Sequence, residues 1–517
     1  MWFSKLYRPF FANIELYKLI DISMSSKKLK ILFSDYFKVS EKVLFEYGAF
    51  NISLLSDLPL FIDPFLLFNS KKPDYQLLHK KIIEYLSFLR EKSISGIDEG
   101  TRLSLYRFKE VKQNWFGFTV GGNAGSGLGK GFAESLDNNF SKIFSDFGEI
   151  RVTLGVHLEK LCLIKEGVGR DNISDFTTNL IKDFLLDYTQ FFARKFIDKK
   201  LCKSFRVSRA VFNYKTETWQ EKTYFLPIDP NCDEDFVLLT PRDILTKDDS
   251  WISSEDLIRS FPSIPYAISN KELRSQINNY FRKVLPHNPT PRERRKSIKE
   301  VLIKYPVLID YYIRKREDVG NRAQDISLAK VEYSEDLYLN QFPKLASLLN
   351  EKTNFYKIEG DSYTETLKRV KYLKHVIEDT DGYKFFYDKF GNPIRRESDL
   401  KILFRLVWCG SDYCFSTEVD DGRGPADGKT SMGSKDKTIT ELKLASNTKL
   451  EQNLLNQTEV YQKASGADKS VKVIIGFTAD ELKKVQLILK RLDLADKENI
   501  VVIDARRSNK PSGSKAK

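Results

Sequence analysis

The 517-residue chain contains few cysteines and few histidines, and each shortage argues against a class of site. The five cysteines are odd in number and lack the paired Cys-x-x-Cys spacing of structural zinc sites: Cys162, Cys202, Cys232, Cys409 and Cys414. We expect reduced thiols in a cytoplasmic protein. The four histidines show no metal-ligand spacing, so we expect each to be structural: His79, His157, His287 and His375.

Long apolar runs are also missing from the sequence. The stretch 58–68 is interrupted by two prolines and an aspartate, and it falls well short of the roughly 18 apolar residues that span a bilayer. We therefore expect no membrane-spanning segment. The first 23 residues carry charges between their apolar positions, which predicts no secretory signal. Met24 is either a second start or part of an ordinary N-terminal helix.

The composition is that of an ordinary globular protein with an excess of positive charge. Hydrophobic residues make up 41% and charged residues 30%, unlike a disordered chain. Lysine and arginine total 84 against 71 acidic residues, which leaves a net charge of +13. This excess favours polyanions such as nucleic acid but says nothing about the fold. At roughly 100 to 200 residues per domain, the length predicts two to four domains.

Shifts in pattern divide the chain into five predicted parts. Residues 1–23 form an N-terminal extension, and residues 24–285 mix short apolar alternations with helical stretches, which predicts an α+β region. We assign that region no activity of its own and leave both recognition and regulation open as its role. A proline-rich break opens a mainly helical connector at 286–382. Residues 383–507 form a regular C-terminal domain, and the basic residues 508–517 form a tail that we expect to be disordered.

The C-terminal domain alternates helices and strands of ordinary length in the order αβββαβαβ. Periodicity and turn signals predict helices at 397–408, 450–464 and 481–492 and strands at 413–419, 425–430, 438–444, 471–477 and 500–503. Thr478 and Glu481 have the spacing of a capping box at the start of the last helix. This order predicts an α/β fold with a mixed central sheet flanked by helices.

Acidic and basic side chains gather on the predicted strands. Residues two apart on a strand share a face, so Glu441 and Lys443 lie together, and a hairpin would bring Asp427 alongside Glu441. Two neighbouring carboxylates need a counter-charge, which a hard cation such as Mg²⁺ supplies. The cation would polarise a scissile phosphate, while Lys443 would orient or deprotonate the attacking water or neutralise developing negative charge. The pattern therefore predicts a hydrolytic nuclease site.

A glutamine on the following predicted helix supports this interpretation. Gln457 shares a helical face with Leu450, Leu454 and Tyr461, which are positions typical of a core. A buried amide needs partners, which a site of water, lysine and phosphate would provide. A core amide bonded to other protein groups is the alternative.

Two short motifs resemble the signature of the PD-(D/E)XK nuclease superfamily, which has a restriction-endonuclease-like fold. They are Pro425-Ala426-Asp427 and Glu441-Leu442-Lys443. The stretch from Gln457 to Tyr461 looks like the Gln-x-x-x-Tyr motif of the RecB-like branch. The resemblance covers about residues 385–507, where the predicted order agrees with the αβββαβ core of the family.

The resemblance implies a role for each matching residue. Asp427 and Glu441 would bind Mg²⁺, for which Mn²⁺ can substitute, and the Leu442 carbonyl would add a ligand. Lys443 would assist the attacking water, and Gln457 would belong to the catalytic set. Two further acids would join the metal site: Glu397 on the helix and Glu418 in the outer metal shell.

A glycine-rich segment at 121–131 lies between a strand-like and a helical stretch and invites comparison with phosphate-binding loops. The match fails at Ala124, where a Walker loop has glycine, and at Gly131, where it has the serine or threonine that holds magnesium. The segment is then either a flexible turn or a loop that orders on a ligand. A nucleotide sensor that gates a nuclease is one hypothesis that follows.

The sequence favours one function over its alternatives. The leading hypothesis is a Mg²⁺-dependent endonuclease that cuts double-stranded DNA, with an N-terminal region that recognises a target, partner or trigger. This architecture resembles prokaryotic restriction and anti-phage defence proteins, and both a homo-oligomer and a defence-system partner protein stay open. The main alternative is a non-catalytic nucleic-acid-binding or assembly protein that keeps the fold as a scaffold. The intact Asp427, Glu441 and Lys443 argue against that alternative.

Overall fold

The computed structural model describes residues 32–54, 57–117, 128–147, 151–165, 168–230, 232–355, 360–388, 390–408, 414–416, 419–420, 425–432, 436–455 and 469–510. The predicted N-terminal extension, Met24 and residues 511–517 of the predicted tail lie outside this part of the chain. Within it, the protein is a mixed α/β molecule with several small sheets. Among the described residues, no helix is long and apolar enough to cross a membrane.

Residues 33–260 contain mainly helices up to residue 196, followed by four strands and a last helix. They are α1 (Phe33–Phe37), α2 (Glu41–Tyr47), β1 (Leu60–Ile62), α3 (Pro64–Phe68), α4 (Pro73–Ser95), α5 (Glu99–Tyr106), α6 (Lys130–Phe144), α7 (Lys160–Ile164), α8 (Arg170–Leu180), α9 (Lys182–Phe196), β2 (Cys202–Asn213), β3 (Thr218–Asp229), β4 (Cys232–Phe236), β5 (Leu245–Lys247) and α10 (Ser254–Ser260). Strands β2, β3 and β4 form an antiparallel sheet, and β1 pairs antiparallel with β5.

Helices dominate residues 271–379. They are α11 (Lys271–Val284), α12 (Pro291–Lys304), α13 (Val307–Asp318), α14 (Ala323–Ser334), α15 (Phe342–Lys352) and α16 (Ser362–Asp379), with a π-helix at Glu335–Gln341. Buried apolar side chains join α12 and α13 to α3 and α10 in one cluster, which includes Phe65, Leu257, Ile298, Val301 and Ile309. These helices therefore share a core with the preceding region.

A five-stranded mixed sheet organises the C-terminal part. The elements are α17 (Glu397–Trp408), β6 (Cys414–Ser416), β7 (Val419–Asp420), β8 (Pro425–Ala426), β9 (Gly428–Met432), β10 (Asp436–Leu444), β11 (Lys469–Gly476), α18 (Ala479–Arg491) and β12 (Ile500–Asp504). The sheet order is β6-β9-β10-β11-β12, with antiparallel pairing from β6 to β10 and parallel pairing from β10 to β12. Strands β7 and β8 pair separately.

The elements predicted for this part occur at nearly the predicted positions, with two differences. The described residues of the predicted strand 413–419 belong to β6 and β7, and the predicted strand 425–430 is divided between β8 and β9. Asp427 is the residue that separates β8 from β9. The predicted helix 450–464 is described, and helical, only at 450–455.

Helices cover both faces of the sheet. On one face, the Ser362 and Thr366 hydroxyls of α16 hydrogen-bond with Thr438 and Thr430. On the other face, Ile474 packs against the helical residues 450–455 and against α18. Successive side chains of β10 alternate between these two environments.

The helix α17 connects the sheet to the N-terminal part of the chain. Its residue Asp399 is buried and accepts hydrogen bonds from Lys247 Nζ at 3.1 Å and from the Tyr338 hydroxyl at 2.6 Å. Lys247 ends β5, and Tyr338 lies in the π-helix. A buried ion pair therefore holds α17 to β5.

Two fully buried carboxyl groups, Asp63 and Glu159, lie side by side in the N-terminal part. Asp63 accepts hydrogen bonds from the Phe65 and Trp251 amides, whereas neither side-chain oxygen of Glu159 has a hydrogen-bond donor among the described residues. Burial, and then the Asp63 charge, raise the pKa of Glu159 well above its ordinary value. Ionisation of Glu159 is therefore less favourable in the folded chain than in the unfolded chain.

We expect Glu159→Gln to stabilise the protein at high pH. A raised pKa in the folded state gives stability that is present below the unfolded pKa of about 4.3 and is lost as the pH rises. The variant should therefore match the parent near about pH 4 and exceed it by ~1–3 kcal/mol near about pH 8 in urea denaturation. Exposed Glu91→Gln is the control and should show no such trend. A variant that is less stable than the parent at both pH values would contradict this prediction.

Candidate active site

Three predicted site residues meet where β9 and β10 form a hairpin. Gly428 pairs with Thr440, which places the preceding residue, Asp427, opposite Glu441. Glu441 and Lys443 are two apart on β10 and share a face of the sheet. The Leu442 amide donates a hydrogen bond to Asp427 Oδ2 at 3.0 Å, so the strand backbone itself fixes this carboxylate.

Lys443 lies between the two carboxylates. Its Nζ is 2.6 Å from Asp427 Oδ2 and 3.2 Å from Glu441 Oε2. All three side chains are buried, with 5–9% of their surface exposed. The sequence therefore placed this acid, acid and lysine set in one small volume, and the structure brings the three side chains together.

Glu397 lies at the margin of the same group. It begins α17, and its Oε1 accepts hydrogen bonds from the Leu444 amide at 3.2 Å and from Asn447 Nδ2 at 2.7 Å. Its other oxygen is 3.9 Å from Lys443 Nζ. The predicted helix acid therefore reaches the end of β10, held by the residues that follow Lys443.

A second lysine, which the sequence argument did not include, reaches the site from α17. Lys401 Nζ is 3.0 Å from Asp427 Oδ1, and 16% of the Lys401 side chain is exposed. Lys401 follows Glu397 by four residues, the spacing that puts two side chains on one helix face. That spacing is the signal that could have identified it, once Glu397 was assigned to the site.

The charges shift the ionisation of the two central acids in opposite directions. Burial opposes ionisation of Asp427, but the ammonium groups of Lys401 and Lys443 outweigh burial and hold the pKa of Asp427 below its ordinary value. Burial, and then the Asp427 charge, raise the pKa of Glu441 to about 8. Burial lowers the pKa of Lys443, but the two carboxylates reverse this effect and raise it. Lys443 is therefore an ammonium group in the folded chain.

One carboxylate oxygen in this group lacks a partner. Glu441 Oε1 is buried and has no hydrogen-bond donor among the described residues. The described part of the chain contains no group of three or more histidine, cysteine, aspartate or glutamate side chains that could hold a metal ion. Among the described residues, Asp427 and Glu441 place two carboxyl groups beside Lys443.

Of the three remaining predicted site residues, the structure describes only Leu442. The Leu442 side chain points to the face opposite Glu441 and Lys443 and is buried. Glu418 and Gln457 lie outside the described residues.

Lys472, a buried lysine on β11, pairs in register with Glu441 and donates a hydrogen bond to the Leu454 carbonyl at 2.8 Å. Lys472 therefore lies on the face of the sheet that carries the site, and it was not among the predicted site residues.

Other sequence features bear less on the site. Of the glycine-rich segment, only 128–131 are described, and α6 begins there at Lys130. The rings of His79 and His157, which are 78 positions apart, lie 6.1 Å from each other, and His157 Nε2 is 2.8 Å from Glu317 Oε1. The described cysteines that are free are Cys162, Cys202 and Cys232.

Comparison with known proteins adds two matches. A family model described as a domain of unknown function (DUF8370) matches residues 38–253, and a second one, also described as a domain of unknown function (DUF8371), matches residues 362–479. The second match begins with α16 and spans Glu397, Asp427, Glu441 and Lys443. No curated protein and no solved structure matches the chain. The chain is thus similar to two domain families, and the second of them includes every described residue of the candidate site.

Proposed function

We propose that this chain is a Mg²⁺-dependent endonuclease that hydrolyses phosphodiester bonds of double-stranded DNA. The observation that carries the proposal is the buried group of Asp427, Glu441 and Lys443 on one face of a mixed sheet, with the three side chains within hydrogen-bond distance in sequence-predicted positions. Burial of two acids and a lysine lowers the stability of a protein unless ion pairs and hydrogen bonds compensate for the lost hydration. Groups of this kind are common at functional sites.

The arrangement of elements supports a PD-(D/E)XK nuclease fold for the C-terminal part. Helix α17 precedes three antiparallel strands, a helical segment begins at 450, and the parallel strand β11 follows. This is the αβββαβ order that the resemblance implies. Helices on both faces of a mixed sheet agree with the same core.

The two carboxylates fit a hard divalent cation. Mg²⁺ commonly takes only one or two protein carboxylates and completes its shell with waters and substrate phosphate. The unpartnered Glu441 Oε1 beside Asp427 supplies a suitable oxygen. When bound there, Mg²⁺ would polarise the scissile phosphate and favour formation of the attacking nucleophile.

The chain's own groups would do the rest of the chemistry. Asp427, fixed by the Leu442 amide, and Glu441 would position the cation relative to the phosphate. Lys443 would orient the attacking water by hydrogen bonding and would neutralise negative charge that develops on the phosphate. Its placement on a central strand, between both acids, leaves little freedom for this side chain. Such preorganisation is what electrostatic catalysis requires.

We also propose that the part of the chain before the sheet recognises a target, a partner or a trigger, as in prokaryotic restriction and anti-phage defence. A contact between the two parts of the chain and the charge of the protein support this proposal. A large α and β region contacts α17 through the buried Lys247–Asp399 pair, and the net charge of +13 suits a polyanionic substrate.

The proposal is tested by incubating the purified chain with supercoiled DNA, linear DNA and RNA, in Mg²⁺ or in EDTA. We expect Mg²⁺-dependent cleavage of DNA, and we expect Asp427→Asn to lower its rate about 10²-fold or more. Asp496→Asn, which removes an equal charge from an exposed turn of the same part, should leave the rate unchanged. Equal cleavage by Asp427→Asn, or no cleavage by the parent chain under any of these conditions, would contradict the proposal.

A further inference from the structure

The two oxygens of Asp427 are held in different ways. Oδ2 accepts hydrogen bonds from the Leu442 amide and from Lys443 Nζ, both of which belong to β10. Oδ1 is in an ion pair with Lys401, which reaches across from α17. A cation that binds Asp427 must take one of these oxygens. Because a backbone amide cannot leave its strand, Oδ1 is the oxygen that can change partner at lower cost.

We propose that Lys401 is a second active-site lysine, which releases Asp427 Oδ1 when a divalent cation binds and then contacts a phosphate oxygen of the nucleic acid. This inference rests on the proposed function. It assigns Lys401 two partners in succession, first a carboxylate of the chain and then the anionic backbone of the substrate.

The position of Lys401 suits such an exchange. Its side chain is 16% exposed, against 9% for Lys443, so it lies nearer to the surface of the site. A lysine has a flexible four-carbon stem and three rotatable donors, and it binds phosphate as a point charge. The helix of Lys401 is anchored on its other side by Asp399, so the side chain can move while the helix stays in place.

The charge of the site favours the same sequence of contacts. Without a cation, Lys401 and Lys443 are the ammonium groups that face the carboxyl groups of the site: Glu397, Asp427 and Glu441. A divalent cation would add two positive charges beside Asp427. It also repels a neighbouring ammonium group, which then finds its best partner in a phosphodiester anion.

The test compares Lys401→Met with Lys401→Arg, and Lys483→Met is the control because it removes one exposed lysine from α18. Mn²⁺ affinity is measured without nucleic acid by paramagnetic resonance of the free ion. Binding of a short DNA duplex is measured with Ca²⁺ as the cation, over a range of salt concentrations.

We expect opposite effects on the two ligands. Lys401→Met should tighten Mn²⁺ binding roughly five-fold, because the competing ammonium group is gone. It should weaken duplex binding about ten-fold at low salt and reduce the salt dependence by about one phosphate contact. Lys401→Arg should restore duplex binding, and Lys483→Met should change neither quantity.

The outcomes separate this inference from the proposed function. If Lys401→Met leaves Mn²⁺ affinity unchanged or weaker, or leaves duplex binding unchanged, while the parent chain binds Mn²⁺, the role of Lys401 is wrong and the metal site stands. If the parent chain binds no Mn²⁺, the proposed function fails and this inference fails with it. A role for Lys401 in folding alone would not tighten the binding of a cation.

Discussion

The Lys443→Met variant is expected to lose about 10²- to 10⁴-fold in the rate of Mg²⁺-dependent DNA cleavage while it still binds Mn²⁺. Lys443 Nζ lies 2.6 Å from Asp427 Oδ2 and 3.2 Å from Glu441 Oε2, so it is the one described positive group in hydrogen-bond contact with both acids. Methionine has a similar length but no donors and no charge. The cation oxygens would remain, and the group that orients water and neutralises charge would be lost.

This result separates catalysis from cation binding. The measurement is single-turnover cleavage at saturating Mg²⁺, with Mn²⁺ binding followed in parallel and the fold checked by circular dichroism. The exposed substitution Lys483→Met is the control and should keep the parent rate. If Lys443→Met cleaves DNA at the parent rate, Lys443 has no part in the reaction. If it loses cleavage together with Mn²⁺ binding, its role is to hold the site together.

The second large effect concerns stability. The Lys247→Met variant is expected to lower the free energy of unfolding by ~3–5 kcal/mol, because it leaves the Asp399 carboxylate buried without its cation. The two side chains of this pair are only 5% and 3% exposed. Asp399 keeps the Tyr338 and Tyr333 hydroxyls as donors, but neutral donors compensate a buried charge only in part.

A second substitution tests the assignment to the ion pair. Asp399→Asn removes the charge but keeps an oxygen that can accept from Tyr338, so the double variant Lys247→Met with Asp399→Asn should recover part of the lost stability. The exposed pair of Lys371 and Glu498 provides the comparison, and Lys371→Met should cost less than about 1 kcal/mol. Urea denaturation of all four variants measures these differences. Additive losses in the double variant would contradict a coupled pair.

This pair also explains how the early part of the chain could affect the site. Glu397 and Lys401 lie on the face of α17 that meets β10, whereas Asp399, between them in sequence, contacts β5 and the π-helix. A shift of the Lys247 strand would therefore move the helix that supplies two of the site charges. Contacts of one helix, α17, thus connect Lys247 with the group of Asp427, Glu441 and Lys443.

The C-terminal elements could be predicted because their signals are local. A short strand-like run between turn signals predicted β10, a buried apolar run predicted β11, and helical spacing predicted α17 at its observed bounds. The capping box at Thr478 is present, since Thr478 Oγ1 accepts from the Glu481 amide and Glu481 Oε2 accepts from the Thr478 amide. The position of Asp427 opposite Glu441 could also be predicted from local rules, because it depends only on the register of one hairpin.

The features that the sequence did not reveal depend on contacts between distant segments. Asp399 and Lys247 are 152 positions apart, and nothing in the pattern around either residue pairs them. Asp63 and Glu159 meet in the same way, across 96 positions. The spacing of four residues from Glu397 predicts that Lys401 shares a helix face with it, but the contact of Lys401 with Asp427 depends on how α17 packs against the sheet.

The most direct test of this account is whether Asp427 and Glu441 hold a divalent cation. Titration of the unmodified chain with Mn²⁺, followed by paramagnetic resonance, should show saturable binding that excess Mg²⁺ displaces. Asp427→Asn should weaken this binding about ten-fold or more, and Asp496→Asn, an exposed residue, should leave it unchanged. Equal Mn²⁺ binding by the unmodified chain and by Asp427→Asn would contradict the assignment of the site.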